Sequence, residues 1–351
     1  MPSSSSRSSF DPERLIERSY QILPGAALAL VVGAVAYRFI AEWVPVSSLL
    51  IAIVLGVALR TLGWVPWWAE TGLKWAGKVP LRVGIVLLGL QLALGDIIDL
   101  GWQVLVIVLV TVTVTFIGTR LLGPVLGADS TTSALLATGT SICGASAVAA
   151  AASVLDRGDG RDPQGRPLGE AAATALAVVT LCGTAAMLAL PALSSVLGLE
   201  ERTAGVWIGA SVHEVGQVVA AGGLVGATAL AAATVVKLAR VVLLAPAVVA
   251  VRLTDGRSGV AQGAGKAPIM PLFVLGFLVA VGVSSFTTIP ADTSAFIAQV
   301  ASMLLTIAMV GVGAAVNLRT LLRTGGPALL LGAAGSLLAA GTGLIGVVLL
   351  L

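Results

Sequence analysis

Two stretches decide how this chain is read: TTSALLATGTSICGASAVAAAASVL at 131–155 and AGVWIGASVHEVGQVVAAGG at 204–223. Both are apolar over most of their length, and both are interrupted near the middle. Gly139, Thr140, Ser141, Cys143, Gly144 and Ser146 interrupt the first; Gly209, Ser211, His213, Glu214, Gly216 and Gln217 interrupt the second. The two run in parallel, G-T-S-I-C-G-A-S-A-V-A-A against G-A-S-V-H-E-V-G-Q-V-V-A-A, the second one residue longer. Glycine and serine permit an unwound turn at membrane depth, where irregular backbone is tolerated only if buried in protein or lining a cavity. A single run of small residues in a membrane helix usually serves packing. Two similar runs, each with several side-chain donors, favour a site. In secondary transporters such pairs mark where substrate binds, and half-helix N-termini offer free N–H groups and a positive dipole end to an anion.

The rest of the chain supplies the membrane context. Of its 351 residues, 57% are hydrophobic and 11% charged, against about 25% charge in a soluble domain. Too few charges remain to coat a globule, which excludes a soluble enzyme, a nucleic-acid binder and a disordered chain. The net charge of +3 comes from 20 Lys and Arg set against 17 Asp and Glu, with the basic residues dispersed at segment ends rather than gathered in a patch. Cys143 and Cys182 give neither a disulfide framework nor a metal pair. Eleven segments approach the roughly 20 apolar residues that a spanning helix needs: 23–40, 46–62, 79–95, 102–122, 131–154, 170–197, 203–225, 227–251, 269–286, 294–317 and 327–351. Their apolar runs are continuous and rich in Ala and Leu, which argues for helices over barrel strands. The expectation is an all-α polytopic membrane protein. A Ser-rich tail and polar surface helix occupy 1–22, starting at Asp11-Pro12, and one transporter bundle fills 23–351, its first span starting at Pro24-Gly25. Trp64, Trp67, Trp68 and Trp75 with Lys74 and Lys78 mark 65–78 as a helix lying in the headgroup region.

Lys/Arg asymmetry puts the N-terminus in the cytoplasm and the C-terminus outside. Basic residues precede the first segment and follow the second, fourth, eighth and tenth, and the loops at 96–101, 222–228 and 287–293 have none. One loop disagrees: simple alternation puts Arg157, Arg161 and Arg166 outside. The conflict vanishes if the fifth and seventh segments each enter and leave on one side, as broken, re-entrant helices inserted from opposite faces.

Ionisable residues inside a membrane segment are functional candidates. His213 is the chain's one histidine, Glu214 is its neighbour, and Gln217 lies one turn from both. A side chain that titrates near neutrality suits proton coupling. Lys237 and Arg240 stand near the middle of the eighth segment, three residues apart and so on one face. Both need a partner there. A carboxylate such as Glu214 is one, a transported anion another, and helix-end carbonyls a third. One acidic residue for two cations favours the anion. Arg82 and Asn317 are further polar candidates.

At LRVGIVLLGLQLAL (81–94), GTSICGASAVAA (139–150), IGASVHEVGQVVAAG (208–222) and VVKLARVVLLAP (235–246) the sequence resembles the YeiH-type sulfate exporter family of bacterial inner-membrane proteins. The likeness runs from about residue 23 to the C-terminus. It implies a transporter bundle with inverted repeats and crossing broken helices, of the bile-acid-symporter and cation/proton-antiporter type, and a homodimer. The sequence itself echoes twice, once between the two interrupted stretches and once between 84–97 and 307–320, at different offsets. The expected function is secondary transport, in the export direction, of a small anion such as sulfate or sulfite across the inner membrane. The alternative is a sodium- or proton-coupled carrier of an organic sulfonate or carboxylate. Thr140, Ser141, Cys143, Gly144, Ser146, Ser211, Gln217, Lys237 and Arg240 are the expected substrate-binding set, with His213 and Glu214 in ion coupling. No metal pattern, cofactor motif or ATP-binding loop is present, and an enzyme is not expected.

Overall fold

The computed structural model describes residues 12–37, 48–92, 100–156, 159–255, 272–315 and 326–351. In chain order its α-helices are α1 (Pro12–Val35), α2 (Ser48–Thr61), α3 (Glu70–Ala76), α4 (Val79–Gly89), α5 (Trp102–Val125), α6 (Ser130–Ser141), α7 (Ala145–Leu155) and α8 (Leu168–Val196). There follow α9 (Glu201–Ser211), α10 (Val215–Val225), α11 (Ala227–Val242), α12 (Leu244–Asp255), α13 (Leu272–Phe286), α14 (Ala291–Ala315) and α15 (Pro327–Leu350). Among the described residues five helical runs are long and apolar enough to cross a membrane: α5, α8, the α11–α12 run over Ala227–Thr254, α14 and α15.

The helices sort into two groups. α1–α4, α13 and α14 pack together, α5–α12 and α15 pack together, and α10 touches α2 and α14 between them. Burying apolar side chains against one another gains little where lipid is the alternative, so close backbone approach matters more. At Gly25 and Gly72, α1 and α3 come so near that a Cβ on Gly25 would stand 2.0 Å from the Ala69 carbonyl oxygen. At Gly56, α2 likewise meets the backbone of Val310 in α14.

This contact explains one departure from expectation. The chain does not start a new helix at Pro24-Gly25. Instead α1 runs unbroken from Pro12, with Pro24 inside it. Proline removes a single hydrogen bond from the ladder, and the Gly25–Gly72 approach fixes the segment on its far side. The tryptophan region forms a 3-10 turn (Trp67–Ala69) leading into α3. Trp64 and Trp67 are 68% and 87% exposed, while Leu73 and Ala76 pack inward, so this region rests on the bundle and lays its rings outward. Residues 1–11, Asn317 and part of each half of the 84–97/307–320 echo lie outside the described residues. The helices that carry the described parts of that echo, α4 and α14, pack together, Gly84 facing Leu305.

Both interrupted stretches are broken, and both fold back as hairpins. In the first, α6 and α7 are joined by a tip at 142–144. Gly139 faces Val148 across it. At its base the Thr131 hydroxyl donates to Asp162 at 2.7 Å, and Arg166 pairs with Asp129 at 3.0 Å. The start of α6 and the loop after α7 are therefore at one end of the bundle, with Arg161 and Arg166 on the same side as the turn before α6. In the second, α9 and α10 are joined by a tip at 212–214. Gly226, just past α10, lies against the Glu201 carboxylate at the start of α9. The 29-residue α8 connects the two bases. At about 1.5 Å per residue it spans roughly 43 Å, so the hairpins enter from opposite ends and meet tip to tip.

Candidate functional site

The tips differ in how they turn. Ile142 leaves helical geometry (φ −118°, ψ −94°), and Gly144 takes φ +70°, a region open mainly to glycine. The second tip needs no such residue, because Val212 and Glu214 are extended. Glu214 then caps α10: its carboxylate accepts from the Gln217 N–H, and the Gln217 side chain accepts from the Glu214 N–H at 3.2 Å. The extra residue of the second stretch is accommodated in this extended turn.

Four half-helix ends thus converge, and each needs hydrogen-bond partners. The incoming helices α6 and α9 bring C-terminal carbonyls with the negative end of the helix dipole. Lys237 and Arg240 of α11, both completely buried, satisfy them. Arg240 donates to the carbonyls of Thr140 (3.0 Å), Ser141 (2.7 and 3.1 Å), Gly209 (3.1 Å) and Val212 (3.1 Å). Lys237 donates to the carbonyls of Ile142 and, at 2.8 Å, Val212. The excess of cation over carboxylate therefore has a different cause from the transported anion it suggested: the two side chains clamp both tips through backbone oxygens.

The outgoing helices α7 and α10 begin at the crossing with free N–H groups and the positive dipole end. Glu214 serves both. Besides capping α10 it accepts from the Thr180 hydroxyl at 2.8 Å and from the Ala145 N–H at the start of α7. Its Cγ passes so near Gly144 that a Cβ there would stand 2.4 Å away.

A cavity of about 430 Å³ opens onto these N-termini. Cys143, Ser146 and Glu214 line its inner end; Leu81, Arg82 and Phe273 line the wall contributed by the other helix group. It lies between the two groups, with Lys78 and Arg82 as its cationic residues. The Arg82 guanidinium stands 5.5 Å from the centre of the Phe273 ring, close enough for a cation–π contact.

The expected site residues divide accordingly. Cys143, Ser146 and Glu214 line the cavity, and Gly144 shapes its tip. Thr140, Ser141, Ser211, His213, Gln217, Lys237 and Arg240 stand behind the tips. The hydroxyls of Thr140, Ser141 and Ser211 donate to the carbonyls of Leu136, Thr138 and Ala339. Gln217 donates to Thr180 and Thr184 of α8, and His213 Nε2 meets the Ser336 hydroxyl at 2.6 Å. Lys78, Leu81, Ile85 and Phe273 are cavity residues that the sequence reading does not assign to the site; Leu81 and Ile85 belong to the motif at 81–94 that also contains Arg82, and Lys78 and Phe273 have no such signal. Among the described residues no cluster of His, Cys, Asp and Glu could hold a metal ion.

Two opposed helical hairpins within a nearly all-helical apolar chain define a membrane protein with a buried, polar crossing point. Residues 24–332 match the family model described as Conserved hypothetical protein 698, and the chain belongs to that family. The chain is 37% identical over 281 residues to a UPF0324 membrane protein of Corynebacterium glutamicum, covering 80% of this chain and 79% of that one. It is 34% identical over 326 residues to a UPF0324 membrane protein of Bacillus cereus, covering 91% and 92%. To the UPF0324 membrane protein TauZ of Paracoccus pantotrophus it is 33% identical over 313 residues, covering 89% of each. No solved structure matches. The resemblance to the YeiH-type family agrees with this placement.

Proposed function

We propose that the protein is a secondary transporter of a small anion, sulfate or sulfite, working as an exporter in the bacterial inner membrane. The observation that carries this is the cavity whose inner end is formed by the N-termini of two half-helices, α7 and α10. Such ends present N–H donors and a positive dipole to an anion at no cost in reorganisation. The Ser146 hydroxyl and the Arg82 guanidinium add a donor and a charge. On this reading the two hairpins are the halves of an inverted repeat, the N-terminus is cytoplasmic and the C-terminus outside. The protein is a carrier of eleven membrane segments, not an enzyme, and it works as a homodimer.

Glu214 supplies the coupling. Its carboxylate occupies the same N–H groups that a substrate anion would use, so the two compete. A proton added to Glu214 removes the negative charge and opens the site, which links anion movement to proton movement. Lys237 and Arg240 hold the tips in register.

The alternative substrate, an organic sulfonate or carboxylate coupled to H⁺ or Na⁺, has an observation in its favour. The cavity is far larger than a sulfate ion, and Leu81, Ile85, Val241 and Phe273 give it apolar walls. Purified protein in liposomes, assayed for flux of sulfate, sulfite and a short alkyl sulfonate under imposed pH or sodium gradients, separates these cases. The expected result is saturable anion flux driven by a pH gradient and lowered by Arg82→Ala. Absence of flux for every anion under every gradient refutes the proposal.

A further inference from the structure

The crossing has a second polar face, away from the cavity. Thr111, Thr115 and Thr119 stand one turn apart on α5, and each is completely buried. A helical threonine ordinarily donates to the carbonyl four residues earlier. Thr138, Thr140, Thr184, Thr234 and Thr306 all do so here. The three on α5 do not. Their hydroxyls and the Ser133 hydroxyl on α6 have no hydrogen-bond partner among the described residues. Buried polar atoms are normally satisfied, and where protein does not satisfy them ordered water does.

These atoms are arranged in a line. Ser133 lies beside Gly123, one turn of α5 from Thr119. A Cβ on Gly335 of α15 would stand 2.7 Å from the Thr119 hydroxyl and 3.0 Å from that of Thr140. The next residue, Ser336, donates to the Gly332 carbonyl at 2.8 Å and meets His213 Nε2 at 2.6 Å. Which of Nε2 and the Ser336 hydroxyl donates depends on the ring tautomer, and the Thr140 carbonyl also faces the ring. The line begins at the base of the first hairpin, where a cavity of about 450 Å³ is lined by Asp129, Thr132, Arg166 and Pro327.

We infer that a file of internal water runs between α5, α6 and α15 from the base of the first hairpin to His213, and that protons reach the crossing along it, apart from the substrate cavity. The proton role rests on the transport reading above; the water file does not. Each step adds a proton to one oxygen or nitrogen and releases another from the same group. At His213 a proton joins one ring nitrogen and leaves the other; where Ser336 takes it up, the serine's own hydrogen turns from the Gly332 carbonyl and passes to the next water, or the reverse. The charged groups facing the ring are Lys237 and Arg240 of α11, and Cys182 of α8 is a further titratable neighbour of Ser336. Two cations are poor company for a third positive charge, so His213 passes a proton on and does not hold it.

The test uses full-length protein in liposomes with Cys143 and Cys182 replaced by serine. Thr119→Cys is exposed to silver ion and compared with Val114→Cys, whose parent side chain is 38% exposed on the outer surface of the same helix. Thr119→Cys is expected to react about tenfold faster, since thiol reactivity follows access to water. In parallel, Thr119→Val and Gly335→Ala are expected to slow anion-driven proton movement, read with an internal pH dye. The stabilisation of the protein by sulfite should be unchanged in both. A Thr119→Cys thiol no faster than Val114→Cys overturns the water file. A reactive thiol with proton movement at the wild-type rate in both blocked variants overturns the proton route. A wild-type chain that carries neither anion nor proton overturns the proton role together with the transport reading, and the labelling still decides the file.

Discussion

Replacing Arg240 by methionine keeps the helical propensity and most of the length of the side chain but removes its five hydrogen bonds to four carbonyl oxygens. Those oxygens are at the ends of α6 and α9, far from water and with few alternative donors. An orphaned buried acceptor costs about 1–3 kcal/mol. The Val212 carbonyl keeps its bond from Lys237, so three are orphaned, and at the low end they give a destabilisation of about 3 kcal/mol, partly offset because methionine needs no desolvation of a charge. By the usual conversion for mid-sized domains this lowers the melting temperature by roughly 10 °C. Arg240→Lys keeps the charge but loses the planar fork, so it should fall between methionine and wild type. The assay is thermal unfolding of detergent-solubilised protein, with and without sulfite. If Arg240 is a clamp, as its geometry indicates, both variants lose stability before any ligand is added. Arg240→Met as stable as wild type, with only the ligand effect lost, would refute the clamp and return Arg240 to the role of an anion ligand.

Glu214→Gln removes the carboxylate that shares the N–H groups of α7 and α10. It is expected to tighten anion binding by about tenfold, or 1.4 kcal/mol, and to uncouple flux from the pH gradient; calorimetric titration with sulfite and the flux assay measure these. Gly144→Ala places a Cβ 2.4 Å from Glu214 Cγ at a φ of +70°, and a backbone forced into that region costs on the order of 1–3 kcal/mol. Loss of transport together with lowered stability is expected, and wild-type flux in this variant would mean that the first tip is not held against Glu214. Asp162 gives a pH effect of definite sign. Burial pushes its carboxyl up, but hydrogen bonds from the Arg166 N–H, the Thr131 hydroxyl and the Arg166 guanidinium, with the charge of Arg166, bring it below its ordinary value. The stability it contributes is therefore present above the unfolded value of about 3.9 and lost as pH falls through the lower folded value. Hydrogen exchange over 159–167 should accelerate on acidification through that range, and Asp162→Asn should abolish the dependence.

Much of the crossing is legible in the sequence because it is written in local terms. A Gly/Ser interruption inside an apolar run announces a break by its own composition, and the misplaced arginines around Arg161 announce that the first broken segment turns back. Lys237 and Arg240 stand out as cations with too few acids. Their true partners do not stand out, because a helix-end carbonyl belongs to every residue type and carries no side-chain signature. The same limit hides the course of α1. Pro24-Gly25 reads as a helix start, and only the approach of Gly72, brought near by folding, shows that Gly25 is a contact surface inside a longer helix. The cavity wall is hidden for a related reason. Lys78, Leu81, Arg82 and Phe273 come from two helices distant in sequence, and nothing local marks which face of each turns toward the hairpins. The threonine line on α5 is regular enough to notice, but periodic threonines become informative only once their hydroxyls are seen to lack the usual carbonyl.

Because one arginine and one lysine grip carbonyls from both hairpins at once, the tips form a single mechanical part: displacing either drags the other. The opposite wall of the cavity, built from α4 and α13, has no share in that grip. Substrate preference can therefore be retuned by exchanging side chains at positions such as Leu81, Ile85 and Phe273 while the joint itself stays untouched, which separates what the protein recognises from what keeps it whole.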